Sequence, residues 1–137
     1  MVDARRVRRL LQRIEEDLVF LRERASGDRA ALRADRERLA ALKYVFVTTI
    51  EGCIDVAQHA CASEGWGPPG TNADALRLLA RHRVLTPELG ESLARAVGFR
   101  NVLVHGYADV NDDLVIAQLD RLDDIAAFVA AVARFAA

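Results

Sequence analysis

Apolar residues return at Val7, Leu11, Ile14, Leu18, Leu21 and Ala25, in steps that alternate four and three. That heptad-like spacing lines one face of an α-helix and predicts a long amphipathic helix lying along another. Ser26-Gly27-Asp28 interrupts the stripe and is expected to supply a left-handed stop and a new N-cap. A second stripe follows at Leu32, Leu39, Leu42, Phe46, Ile50, Cys53, Ala57 and Ala60, running to about Glu64 with Gly52 as its one interior glycine. A single helix of that length would reach ~50 Å at 1.5 Å per residue, too long for one small core to cover at both ends. The two stripes therefore predict a long antiparallel helix hairpin. The apolar surplus at Tyr44-Val45-Phe46-Val47 calls for a third helix or a second subunit to cover it.

Gly65-Trp66-Gly67-Pro68-Pro69-Gly70 is the one clear loop. Thr71-Asn72-Ala73-Asp74 has the form of a capping box and predicts a short helix through about Arg83. Thr86-Pro87-Glu88 supplies a cap, a proline at the first helical position and an acid in the first turn. The helix it starts should carry Leu89, Leu93, Val97 and Val104 to the core and end near Gly106. A polar turn over 109–113 and a last helix from about Asp113 to Phe135 complete the chain. No segment alternates at period two. The expected fold is all-α, an up-and-down helical bundle of four to five helices in one domain spanning 1–137.

Composition narrows the class without changing the fold. At 137 residues the chain can bury roughly two thirds of its unfolded surface, so a core without disulfide or metal staples is feasible. A 52% hydrophobic and 28% charged mixture excludes a disordered chain, and eight Gly with three Pro are too few for a sandwich or barrel. No apolar run approaches the ~18 residues of a membrane helix. The arginine cluster at 5–9 precedes no apolar export segment, so a cytoplasmic location and no membrane partner are expected. Cys53 and Cys61, eight apart with no CxxC, read as reduced residues packed on a helix.

The net charge of −1 hides an asymmetry: residues 1–43 hold twelve bases against eight acids (+4), and residues 44–137 seven against twelve (−5). A basic amino-terminal part could attract RNA or an acidic partner. The interleaving of Arg and Glu favours a solvated helix face instead. The near-exclusive use of arginine, with Lys43 as the one lysine, is as easily a matter of genome base composition.

The end of the fourth predicted helix concentrates chemistry. Phe99-Arg100-Asn101-Val102-Leu103-Val104-His105-Gly106-Tyr107 places Arg, Asn, His and Tyr within eight positions. Asn101 and His105, four apart, share a face. Arg100 and His105, five apart, converge only if the helix is distorted or if two copies meet. An arginine on a carbonyl, a histidine on the helix dipole and a rim tyrosine would account for the same residues without any reaction.

Arg100-Asn101-x-x-x-His105-x-Tyr107 resembles the R-x4-H-x-Y signature of the HepT toxins, a branch of the HEPN superfamily of helical ribonucleases. Glu51-x-x-Ile54-Asp55-x-Ala57-x-His59 resembles that family's second-helix pattern, and the Gly-Pro loop, the capped third helix and the closing helix after Asn111 fall in the same order. The resemblance spans essentially the whole chain and departs at no motif position. It implies the toxin of a type VII-like HEPN/MNT toxin–antitoxin system: a metal-independent endoribonuclease, with no cofactor, built as a homodimer. The motif helices of two protomers would share a cleft and bring two Arg100–His105 sets together. One His105 would act as base on the 2′-OH and the other as acid on the leaving 5′-oxygen, with Arg100 on the phosphorane and Asn101 orienting His105 or touching phosphate. The resemblance further implies an MNT-type nucleotidyltransferase antitoxin that neutralises the toxin by AMPylation of Tyr107. RNA is the expected substrate and DNA is not. A non-catalytic HEPN module binding nucleotide through the same residues is the alternative, and a plain helical interaction domain a third.

Glu51, Asp55 and His59, each one turn apart, could be taken for a metal site, but the rest of a ligand set is missing. A stripe that holds Arg100 or His105 by hydrogen bonds fits better. His59 reads as a structural histidine, His82 as exposed, and Trp66 as a loop anchor more readily than a base-stacking platform.

Overall fold

The computed structural model describes residues 1–106 and 110–137. Among them no strand occurs, and the chain folds as α1 (Ala4–Ala25), α2 (Arg29–Ala34), α3 (Arg36–Glu64), α4 (Asn72–Arg81), α5 (Pro87–His105), α6 (Asp112–Ala117) and α7 (Leu122–Ala136), with a 3-10 turn at Gln118–Arg121. Five of these helices are ten residues or longer and form the expected bundle; α2 and α6 are short additions of six residues each. α3 is the hub, packing against α1, α2, α4 and α5.

The predicted hairpin forms from α1 and α3. Val7, Leu11, Ile14, Leu18 and Leu21 are all buried, as is every member of the second stripe from Leu32 to Ala60. The pairing is antiparallel: Asp3 N donates to His59 Nε2 (3.1 Å) at one end, and Thr48 Oγ1 donates to Asp17 Oδ2 (2.7 Å) near the middle. Gly52 marks the closest approach, since a Cβ there would lie 2.8 Å from Ile14 Cγ1.

Three expected boundaries move. Gly27 is not a left-handed stop, because α1 ends on Ser26 in right-handed geometry; Asp28 does cap α2 as expected, accepting from Ala31 N. The left-handed stop lies at Gly65 (φ 68), where Trp66 N donates to Cys61 O (3.0 Å) and closes α3. The second stripe is not one helix. Asp35 takes an extended conformation (φ −105, ψ 104) and caps α3 by accepting from Arg38 N, a local bond that competes with continued helix. The last helix is likewise divided, by the 3-10 turn at Gln118–Arg121.

α4 and α5 form a second hairpin. Thr71 caps α4 through Asp74 N, and Thr86 caps α5 through Leu89 N. α4 ends at Arg81, two residues early, because Arg83 adopts φ 65, a left-handed turn that no glycine announced. Gly90 lets the two helices touch, since a Cβ there would lie 2.6 Å from Ala80 Cβ. Within α5, Leu93, Val97 and Leu103 are buried, and Leu103 takes the core position expected of Val104. The surplus at 44–47 is met by the third long helix in part: Phe46 packs edge-on against Phe99 (5.6 Å, 88°), while Tyr44 stays 69% exposed. Trp66 stacks on exposed His82 (4.2 Å, 3°) and lies 6.0 Å from Phe135, so it anchors the Gly-Pro loop.

The close α4–α5 contact gives a direct test. Gly90→Ala gains up to about 1 kcal/mol of helix propensity but forces two backbones apart, and is expected to destabilise the fold by about 1–2 kcal/mol net. A melting temperature equal to or above the parent's would show that the helices have room.

Candidate active site

α5 carries the polar cluster and is an unbroken α-helix from Pro87 through His105. It stops at Gly106, whose N donates to Val102 O (2.7 Å), and a Cβ at that glycine would lie 2.7 Å from the same oxygen. Only glycine lets the chain close so tightly behind the histidine.

Arg100 is tied down at two of its three nitrogens. Nη2 donates to Glu51 Oε1 on α3 (2.9 Å), and Nη1 donates to Asn101 Oδ1 (2.9 Å). The arginine side chain is 19% exposed against 42% for Glu51, so the pair sits at the edge of the core with its acid towards solvent. Nε is buried and has no acceptor among the described residues. A buried donor without an acceptor costs about 1–3 kcal/mol, so the site is poorly satisfied as one protomer leaves it.

His105 is exposed, and its ring makes no hydrogen bond to another described residue. Asn101, exposed beside it on the same face, is engaged by Arg100 and not by His105. Around them lie Val102, 54% exposed, and Gly98, where a Cβ would meet nothing within 4 Å. The exposed face of α5 is thus Gly98-Asn101-Val102-His105, with Arg100 turned to one side against α3. An exposed glycine in mid-helix costs about 1 kcal/mol relative to alanine, which makes Gly98 a signal the sequence reading passed over.

The acidic stripe of α3 does not act as a unit. Glu51 reaches Arg100, but Asp55 is exposed and bonds to no other described side chain. His59 serves the α1–α3 pairing through Asp3 N. Among the described residues no group of three or more His, Cys, Asp or Glu side chains is arranged to hold a metal. Burial pushes the Cys53 thiol up to about 12 and raises that of Cys61, so neither is a reactive thiolate. Tyr107, the expected modification site, lies outside the described residues. No helix is long and apolar enough to cross a membrane among those described.

The chain carrying this anchored guanidinium and exposed imidazole is similar to known proteins. The chain is 35% identical over 80 residues to the mRNA nuclease HepT of Shewanella oneidensis, an alignment covering 58% of this chain and 60% of that protein. It is 35% identical over 65 residues to the tRNA nuclease HepT of Aphanizomenon flos-aquae, covering 47% and 44%. These alignments span about half the length of the curated relatives. The structural match is wider: a tri-AMPylated Shewanella oneidensis HEPN toxin, solved in complex with MNT antitoxin, superposes with a TM-score of 0.86 at 26% identity, over 96% of this chain and 98% of that one. The family model described as ribonuclease HepT-like matches residues 6–132, and with nearly the whole chain inside it the protein belongs to that family.

Proposed function

We propose that this protein is the toxin of a HEPN/MNT toxin–antitoxin pair, an endoribonuclease that cleaves RNA without a metal at a site shared by two protomers. The observation that carries this reading is the pairing of an anchored Arg100 with an exposed His105 at the end of one regular helix. Relatives named as mRNA and tRNA nucleases agree in RNA and differ in its kind, which supports RNA as the substrate class.

The chemistry follows from the residues. Imidazole titrates near neutrality and can remove the 2′-OH proton, after which the 2′-oxygen attacks the adjacent phosphorus. Charge then builds on the non-bridging oxygens, where a guanidinium that cannot lose its proton stabilises it. A second imidazole protonates the departing 5′-oxygen, leaving a 2′,3′-cyclic phosphate and a 5′-hydroxyl. One protomer supplies one such histidine. Since α5 is undistorted through His105, a second copy is the way to bring another imidazole and another arginine to one phosphate. The open space at Gly98 and the exposed Val102 both suit a facing helix. Glu51 and Asn101 act as positioning residues for Arg100, while the geometry gives Asp55 no part in it.

Control by the antitoxin would fall on Tyr107, two residues beyond His105. Transfer of AMP from ATP to its hydroxyl releases pyrophosphate and sets a phosphodiester beside a cleft that must admit RNA phosphates.

Two measurements test the reading. His105→Ala in purified protein is expected to lower RNA cleavage by about 10²–10⁴-fold, with parent activity unchanged in EDTA. Cleavage that survives the substitution, or that stops on chelation, contradicts it. After co-expression with the antitoxin, mass spectrometry is expected to place one or more AMP units on Tyr107. A neutralised toxin with an unmodified Tyr107 contradicts that mode of control.

A further inference from the structure

Of the twelve basic residues in the amino-terminal part, Arg24 pairs with its neighbour Glu23 and lies over the Phe20 ring, and most of the others fall into two groups. One group is consumed internally: Arg22 pairs with Asp123 (3.3 Å), Arg29 with Asp120 (2.8 Å), Arg33 with Asp113 (2.8 Å) and Lys43 with Asp112 (2.8 Å). The other group is Arg5, Arg6, Arg8, Arg9 and Arg13, all exposed on the first half of α1. None of these five side chains makes an ion pair or hydrogen bond with another described residue. Arg36 and Arg38 also lack a partner among the described residues, but they lie at the opposite end of the hairpin with Glu37 between them.

The five are placed against their own helix. At 100° per residue they cover about 160° of α1, centred opposite the stripe of Val7, Leu11 and Ile14. Arg5–Arg9 and Arg9–Arg13 are like-charged pairs at i, i+4, which weaken a helix. The positive end of the helix dipole lies here, and the first turn holds no acid to offset it; Asp3, the cap, is the one acidic residue in the first thirteen. Local folding therefore disfavours this arrangement.

We propose that this arginine face is a binding surface for the sugar-phosphate backbone of RNA, gripping the substrate outside the cleavage site without reading its sequence. The proposal rests on the ribonuclease reading for its choice of ligand. A protein partner fits less well, because docking surfaces carry apolar or aromatic anchors at their centres. Apart from Met1 at its end, this face has no exposed large apolar residue, and the next along the helix is Val19. Phosphate contacts need only cations, and Arg5, Arg9 and Arg13 offer three along ~12 Å of helix.

The test uses His105→Ala protein, which leaves RNA intact, with or without Arg5→Gln, Arg9→Gln and Arg13→Gln together. Binding of a labelled oligouridylate of about thirty nucleotides is followed between 50 and 200 mM salt. Three lost phosphate contacts should make the slope of log K against log salt shallower by about 2, so the parent weakens about 20-fold more across that range. Melting temperature should hold or rise, because like-charge repulsion is relieved. An unchanged slope, a parent that does not bind RNA, a drop in melting temperature matching the lost affinity, or lost antitoxin binding with RNA binding retained would overturn the proposal. Cleavage by the protein with His105 intact is measured separately. Binding with this slope but no cleavage leaves the surface standing and removes the ribonuclease reading; cleavage with an unchanged slope does the reverse.

Discussion

A guanidinium cannot discard its charge, and everything about the motif helix follows from where that charge is held. Arg100 is four-fifths covered, so it must bring an acceptor with it, and Glu51 on α3 is that acceptor. Glu51 is itself 42% exposed, which keeps the pair nearer the ~1 kcal/mol of a surface bridge than the 3–5 kcal/mol of breaking a buried one. The interaction adds little to stability and much to position. It ties the C-terminal half of α5 to the middle of the hub helix, beside the Phe46–Phe99 contact, and leaves His105 one and a half turns further on in solvent.

The same distinction between charge that is used up and charge that is left over orders the rest of the molecule. The charge imbalance between the two parts of the sequence is partly an internal seam, in which bases of α1, α2 and α3 meet the acids of α6, the 3-10 turn and α7. Along that seam the Arg29 hydrogen bond holds the Asp120 carboxyl below its usual range, and Asp113 raises Arg33. These pairs are exposed, or half-buried in the case of Lys43 and Asp112, and individually weak. What they leave unpaired is the arginine face at the start of α1.

Much of this was legible in the sequence because it rests on periodicity and caps. The stripes from Val7 to Leu21 and from Leu32 to Ala60 are buried as read, and Thr71, Thr86 and Asp28 cap the helices they precede. The boundaries that moved depend on backbone choices with no unique residue signature. Asp35 could have stayed helical, Gly27 could have turned left-handed, and Arg83 gives no sign that it does. Leu103 displaces Val104 because the side of α5 that meets the core is decided by the helices packed on it, α4, α3 and α7, not by spacing within α5 alone. The cluster of Arg100, Asn101 and His105 stood out in the sequence, and the stripe on α3 was expected to hold Arg100 or His105, as Glu51 does for Arg100. Spacing could not say that Asn101 would turn to the arginine, or that Asp55 would bond to neither.

The central claim is that one protomer holds half a cleavage site: an arginine already committed to its neighbours and a histidine that bonds to none of the described residues. The most direct measurement is RNA cleavage per protomer as the protein is diluted, with sedimentation velocity run on the same samples. The expected result is that specific activity falls in step with the loss of dimer and is absent from the monomer. Specific activity that stays constant while the protein dissociates would contradict the account.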